Sequence, residues 1–321
     1  MKQQIKRYSL TVKKLWNPLH ASFFGCSRQG AMHKIHELPC QDAWLIAQAN
    51  PGNEPGLILG AADGHGAAVH DQSERGAKLA MRAVQKVMGN FLLRLNGHST
   101  EDDRYHFRRF LPEELVQTWR QMVEEDATHR QLSKETKSSE RQELYFRYGT
   151  TCLAALVTVH EVFICSIGDG DILWVDPAGK LKMHLEQDAP DLSGAMTYSM
   201  ASMEPQNLFQ TQIYDRGEGG ILMLSTDGLS KSFAELHYFF EFGTALQERI
   251  REDGFARVTE SLPNTLDYIS EHGSGDDITF VVAWIEDPPP EDEKLMDTHH
   301  VIPLKDQKPL EIDGKQKTNY E

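Results

Sequence analysis

The chain has 321 residues, 40% of them hydrophobic and 25% charged, a balance that suits a soluble globular protein of one large domain or two small ones. Its 48 acidic against 33 basic residues leave a net charge of −15 with no Lys/Arg-rich block, which argues against nucleic acid as a partner. No apolar run is long enough to span a membrane, and Met1 to Tyr8 lack the apolar centre of a signal peptide, so a cytoplasmic location away from membranes is expected.

Residues 1–20 alternate weakly at Tyr8, Leu10 and Val12 and are read as an N-terminal extension able to form an edge strand. Residues 21–26 predict a short strand, 27–39 an irregular stretch, and 43–47 a strand opened by Gln41-Asp42. Asn50-Pro51-Gly52-Asn53 turns the chain back into Leu57–Ala62, so these last two strands should be antiparallel neighbours. The second of them stops abruptly at Asp63-Gly64-His65-Gly66, where a rigid apolar element delivers a carboxylate to the rim of a core.

Beyond Gly66 the period changes. Ala77, Ala80, Val84, Val87 and Phe91 recur at three- and four-residue spacing and predict an amphipathic core-packing helix of ~20 residues, with Asp71 or Ser73 as its cap. A polar break is expected at 96–103, then a helix from Pro112 carrying Leu115, Trp119, Met122 and Val123 on one face. Residues 129–143 read as an exposed helical extension or a loop. Residues 150–159 and 162–167 are separated only by His160-Glu161, too little for a crossover helix, and must form a hairpin. Residues 171–175 and 180–185 repeat the pattern, so the four read as one meander of sheet.

Residues 186–218 lack a sustained period and read as a functional flap. The strand 221–226 then feeds Asp227-Gly228 into a helix over 229–235 that continues irregularly to Arg251. A helix interrupted at Pro263 over 257–271 and a last strand over 278–285 follow. Residues 287–321 form an acidic, Pro-rich tail expected to be disordered.

Strands therefore begin or end at Asp63, Asp169, Asp227 and Asp276-Asp277. If those ends cluster, mutual repulsion raises the carboxyl pKa values unless cations neutralise them, and a thiol-free oxygen set suits Mg²⁺ or Mn²⁺. The bland alternatives are turns at Asp63-Gly64 and Gly168-Asp169. A calcium loop at Asp169-Gly170-Asp171 is poor because Trp174 stands where such a loop needs glycine. Cys26, His33, His36 and Cys40 could gather one zinc ion only at unusual spacing, and the four cysteines, lacking any CxxC pair, read as reduced and structural.

Gln41-Asp42, Asp63-Gly64-His65-Gly66, Gly149-Thr150-Thr151, Gly168-Asp169, Asp227-Gly228 and Asp276-Asp277-Ile278-Thr279 occur in the order and strand context of the metal-dependent protein phosphatases, and the chain resembles that protein phosphatase 2C-like family, bacterial type, over residues 20–286. The resemblance implies an α+β fold, an antiparallel β-sandwich flanked by helices on both faces in four α-β-β-α layers, as a phosphatase domain over 21–286. It implies hydrolysis of phosphoserine and phosphothreonine in proteins by metal-activated water at a binuclear Mg²⁺ or Mn²⁺ centre. Asp63 would bridge both ions, the Gly64 carbonyl would serve one, Asp227 and Asp276 would hold the other, Asp42 would act through water, and Asp169 matches a third, weaker site. His65 would protonate the leaving oxygen.

The chain departs from the family pattern at three places. Glu37 stands where many relatives carry a phosphate-gripping arginine, a role that would pass to Arg28, His33 or His36 or be absent; Asp171 replaces another arginine; and Asp277 replaces an asparagine, leaving the ligand at Asp276 or Asp277 open by one position. Two other readings follow: a catalytically weak phosphatase-like module that binds a phosphoprotein, and a small-molecule phosphohydrolase. Implied partners are a phosphorylated protein and, by analogy, a cognate Ser/Thr kinase and its targets, with no reason to require more than a monomer.

Overall fold

Strands that read as unbroken apolar runs, rather than as alternating ones, belong in sheets covered on both faces, and the chain solves this by stacking two sheets and covering each outer face with helices. The computed structural model describes residues 19–49, 55–132, 138–185 and 197–286. The expectations for residues 1–18, for the turn at 50–54, for 186–196 of the flap and for the tail at 287–321 lie outside the described residues.

In chain order the elements are β1 (Ala21–Arg28), α1 (Ala31–Ile35), β2 (Ala43–Ala49), β3 (Gly56–Ala62), α2 (Ser73–Leu92), α3 (Glu101–Arg109), α4 (Leu111–His129), α5 (Ser138–Arg147), β4 (Cys152–Val157), β5 (Glu161–Ile167), β6 (Asp171–Val175), β7 (Leu181–Leu185), β8 (Gln210–Asp215), β9 (Gly220–Ser225), α6 (Asp227–Ser230), α7 (Leu236–Asp253), α8 (Phe255–His272) and β10 (Ile278–Ile285). One sheet runs β1-β10-β9-β6-β7 and the other β2-β3-β4-β5-β8, with every pairing antiparallel.

The period of two assigns each strand residue to a face. Leu57, Leu59 and Ala61 of β3, Leu153 and Ala155 of β4, Leu222 and Leu224 of β9, and Val281 and Ala283 of β10 meet between the sheets. Their neighbours point the other way: Ile58 and Ala62 of β3 pack with Ala80, Val84 and Val87 of α2 and Leu115 and Trp119 of α4. Ile221, Met223, Phe280 and Val282 pack with Phe239, Leu246 and Ile250 of α7 and Val258 and Leu262 of α8. The three apolar layers are the three interfaces of an α-β-β-α sandwich, the α+β architecture expected from the sequence. Burying each large aliphatic side chain stabilises it by about 1.5–3 kcal/mol.

Several local expectations are corrected. β4–β5 and β6–β7 are hairpins but not one meander, because β5 and β6 lie in different sheets and residues 168–170 carry the chain across. Within 186–218 the segment 210–215 is the edge strand β8. A short helix, α1, interrupts 27–39, and α3 begins inside the polar break at 96–103, where Thr100 and Asp103 form a reciprocal capping box. Neither Asp71 nor Ser73 caps α2, whose N-cap is Gln72 without a side-chain bond. The helix after Asp227 is one turn long, α7 is regular, and α8 passes through Pro263 unbroken.

Candidate metal centre

The register of the sheets decides which aspartates meet. Asp42 immediately precedes β2 and Asp63 immediately follows β3, and Ala43 pairs with Ala62, so the two acids leave the same end of one sheet side by side. Asp227 lies two residues beyond the end of β9, and Asp276-Asp277 open the neighbouring β10, in which Phe280 pairs with Ser225. Thr226 joins the two sheets: its hydroxyl donates to Asp42 Oδ2 at 2.9 Å and accepts the Thr279 N–H at 2.8 Å. Asp169 enters from the crossover after β5, whose Gly168 packs against Thr151, the residue before β4.

The Gly-Thr-Thr segment holds the Asp63 peptide. Thr151 Oγ1 accepts the Asp63 N–H at 2.9 Å, and the Asp63 carbonyl accepts from the Thr150 hydroxyl at 2.8 Å and the Thr151 N–H at 2.9 Å. Gly64 is required by close approach: a Cβ there would lie 2.6 Å from the Gln41 carbonyl oxygen and 2.8 Å from that of Ser73. Gly228 is similarly pressed, since a Cβ would come 2.1 Å from the Asp277 carbonyl oxygen.

These carboxyls destabilise one another. Burial, then the charges of Asp42, Asp227 and Asp276, hold Asp63 well above the ordinary range. Burial and the charges of Asp277 and Asp276 do the same to Asp42, against hydrogen bonds from Thr226 and Thr279. Asp227 is pushed up to about 6 by burial and by Asp169, against the pull of Lys231. The Oδ1 atoms of Asp42 and Asp227 are buried with no hydrogen-bond donor upon them. Asp227 instead faces the Asp63 carboxyl, near enough for the two to share a proton.

Lys231, one turn after Asp227, is bonded to Asp227 Oδ2 and stands 3.1 Å from Asp169 Oδ2. Burial raises the Asp169 pKa, but the Lys231 charge and hydrogen bond outweigh it and leave that carboxyl below its usual value.

Asp277 is committed elsewhere. Its Oδ1 accepts the Gly30 N–H at 2.6 Å and its Oδ2 the Gln41 N–H at 2.7 Å, so one carboxylate closes both ends of the loop that carries α1. His33 Nδ1 lies 2.9 Å from the same Oδ1, close enough for an ion pair but not aligned as a hydrogen bond. The Asp276 side chain is half exposed; it accepts the N–H of its own successor at 2.8 Å and lies 4.0 Å from His33 Nε2.

His65 reaches the same rim, its N–H on the Gly149 carbonyl at 3.1 Å and its ring centroid 4.9 Å from that of His70. Burial and repulsion from His70 pull the imidazole down to about 4, against Asp169, so it is neutral near pH 7. Of the three candidate phosphate-binding side chains, Arg28 is forked onto Asp267 of α8, its Nε 3.0 Å from Oδ1; His33 sits beside Asp277; and His36 is exposed at the end of α1. Glu37 follows it, exposed, with φ of 54°. Asp171 is buried on β6 and bonded to His184 Nε2 at 2.7 Å.

Among the described residues no group of three or more His, Cys, Asp or Glu side chains is arranged to hold a metal ion as it stands. Placement argues against zinc: Cys26 is part of the α7–α8 core, its thiol pushed up to about 12 by burial, while His36 faces solvent. The aspartates are a different case. Their repulsion, the two buried oxygens without donors and the absence of thiol among them fit hard divalent cations, Mg²⁺ or Mn²⁺.

Sequence reading missed Lys231, Thr226 and the structural use of Asp277. Lys231 had a signal, the four-residue spacing from an aspartate that opens a helix. The other two depend on contacts between segments far apart in sequence.

Residues 29–267 match the family model described as Protein phosphatase 2C. A bacterial serine phosphatase is 17% identical, with a TM-score of 0.54 over 84% of this chain and 98% of that one. The serine/threonine phosphatase Stp1 from Staphylococcus aureus is 17% identical, with a TM-score of 0.52 over 88% and 100%. The catalytic domain of the serine threonine protein phosphatase PstP, in complex with two manganese ions, is 17% identical, with a TM-score of 0.53 over 83% and 99%. No curated protein sequence matches the chain.

Proposed function

The chain belongs to the protein phosphatase 2C family, and from that premise we propose that it is a metal-dependent serine/threonine protein phosphatase. The observation that carries the reading is the convergence of Asp42, Asp63 and Asp227 at one end of the sandwich, each held protonation-prone by burial and by its neighbours. The two manganese ions named for PstP support the choice of cation.

Asp63, the Gly64 carbonyl, Asp227 and Asp276 would hold two Mg²⁺ or Mn²⁺ ions, with Asp42 acting through water. Asp276 is preferred to Asp277 because the latter's oxygens already accept two backbone N–H groups. When bound, such ions offset developing charge on a transferring phosphoryl group and favour attack by water.

The chain's own residues do the rest. Thr226 and Thr279 orient Asp42. Thr150 and Thr151 fix the peptide from which Asp63 projects. His65, neutral in the free protein, gains a proton beside a phosphate dianion, which favours the imidazolium, and can then give it to the leaving seryl or threonyl oxygen. The substrates would be phosphoproteins, the products of a Ser/Thr kinase. Among the described residues no helix is long and apolar enough to cross a membrane.

The test is release of phosphate from para-nitrophenyl phosphate and a phosphoserine peptide, with and without Mn²⁺, by the wild type and Asp227→Asn. Metal-dependent turnover lost in the variant is expected. A binding-only module is the second reading, favoured by the engagement of Arg28 with Asp267, which takes up the Nε–Nη2 edge of that guanidinium. Retention of a phosphoprotein without turnover at saturating Mn²⁺ would replace the first reading with the second.

A further inference from the structure

We propose that the Lys231 ammonium is a tethered cation that occupies the place of a third divalent ion on Asp169, so that this chain takes two divalent ions and no more. The inference rests on the two-ion reading above and concerns what its neighbouring carboxylate does. Two elements deliver the partners independently. Asp227 and Lys231 come from the single turn of α6, where the Lys231 N–H closes on the Asp227 carbonyl at 2.8 Å. Asp169 comes from the crossover between the sheets, where a Cβ on Gly168 would lie 2.4 Å from Thr151 Cγ2, which pins the chain.

The ammonium bridges them from the solvent side. Its side chain is 59% exposed, while Asp169 and Asp227 are 30% and 8% exposed. Asp227 is thereby divided: Oδ2 binds the ammonium, and Oδ1, buried and without a donor, remains for the inner centre. A divalent ion on Asp169 would have to share that carboxylate with Lys231, which holds its Oδ2 at 3.1 Å, and it would stand against a like charge a few ångströms away. The tether makes the lysine's local concentration high at any metal concentration. Lys231 is thus a positioning residue: it fixes the outer oxygen of Asp227 and sets the number of ions the cluster accepts.

The test is the Mn²⁺ stoichiometry of the full chain, by equilibrium dialysis with electron paramagnetic resonance of the free ion, for the wild type, Lys231→Gln, Asp169→Asn and the double variant. Lys231 is exposed, so its replacement leaves the core untouched. The expected counts are two for the wild type, two for Asp169→Asn, a third and weaker ion for Lys231→Gln, and two again for the double variant. Three ions in the wild type, falling to two in Asp169→Asn, would overturn the proposal and leave the two-ion phosphatase reading standing. An unchanged count of two in Lys231→Gln would also overturn it. No bound ion in any variant would remove both readings together.

Discussion

Thr226, at the end of one sheet, donates its hydroxyl to the carboxylate of Asp42, at the start of a strand in the other, and receives the N–H of Thr279 in return. This hydroxyl ties the two layers of the sandwich together beside the candidate metal centre, so changes to it should register in both stability and cation binding.

Thr226→Val keeps the shape and removes the hydroxyl. It leaves the buried Thr279 N–H without its acceptor and Asp42 with one donor fewer, a loss of about 1–3 kcal/mol. Chemical denaturation should show the lower midpoint at unchanged slope, and Mn²⁺ titration a weaker affinity. An unaltered midpoint would show that the bond adds nothing to the fold.

The two adjacent acids should separate cleanly. Asp277→Ala frees the Gly30 and Gln41 N–H groups, so hydrogen exchange should accelerate across 30–41 and stability should fall by about 2–4 kcal/mol. Asp276→Ala, at a half-exposed side chain, should leave exchange there unchanged and reduce the number of bound Mn²⁺ ions. The opposite pattern would exchange their roles.

Free of metal, the protein should lose stability as pH rises. Asp227 has a folded pKa of about 6 against an ordinary 3.8, and Asp63 and Asp42 are also raised, so the native state binds more protons than the unfolded one through this window. Their unfavourable contribution is absent below the unfolded pKa and complete above the folded one. His65, lowered from 6.5 to about 4, acts in the opposite sense over the same window, which makes the comparison with Asp63→Asn the informative one. The variant should flatten the decline of the melting temperature between pH 5 and 7. With Mn²⁺ present the wild-type slope should reverse, because ligands must be deprotonated.

Mn²⁺ at one hundred times its dissociation constant should raise wild-type stability by about 2.7 kcal/mol, read as a higher melting temperature. Asp227→Asn should lose most of that gain while matching or exceeding the metal-free wild type, since it removes one member of a repelling group.

The layers were legible because every core strand except the edges carries apolar residues on both faces, as in Leu57 to Ala62 and Ile278 to Ile285, and such strands need cover on both sides. The aspartates were legible for the same reason: each interrupts an apolar run, so its position at a strand end follows from the run itself. What stayed hidden depends on pairing between distant segments. Nothing local distinguishes residues 168–170, which cross between sheets, from a hairpin turn, and nothing local says that Asp277 turns back to Gly30 while Asp276 does not. The short helix α1 has no buried residue and no side-chain cap, so neither of the usual signs of a helix marks it.

The closure of residues 30–41 by Asp277 has a consequence for how such a protein can diversify. Both anchors are backbone N–H groups; Gly30 is fixed by close approach, since a Cβ there would lie 2.5 Å from the Gly275 carbonyl oxygen, whereas Met32, Ile35 and Leu38 in the body of the segment are exposed. The exposed side chains between the anchors, Glu37 included, can therefore change while the clasp keeps the segment's ends in place. Change in the exposed part of the segment is thereby uncoupled from the carboxylate that holds its ends.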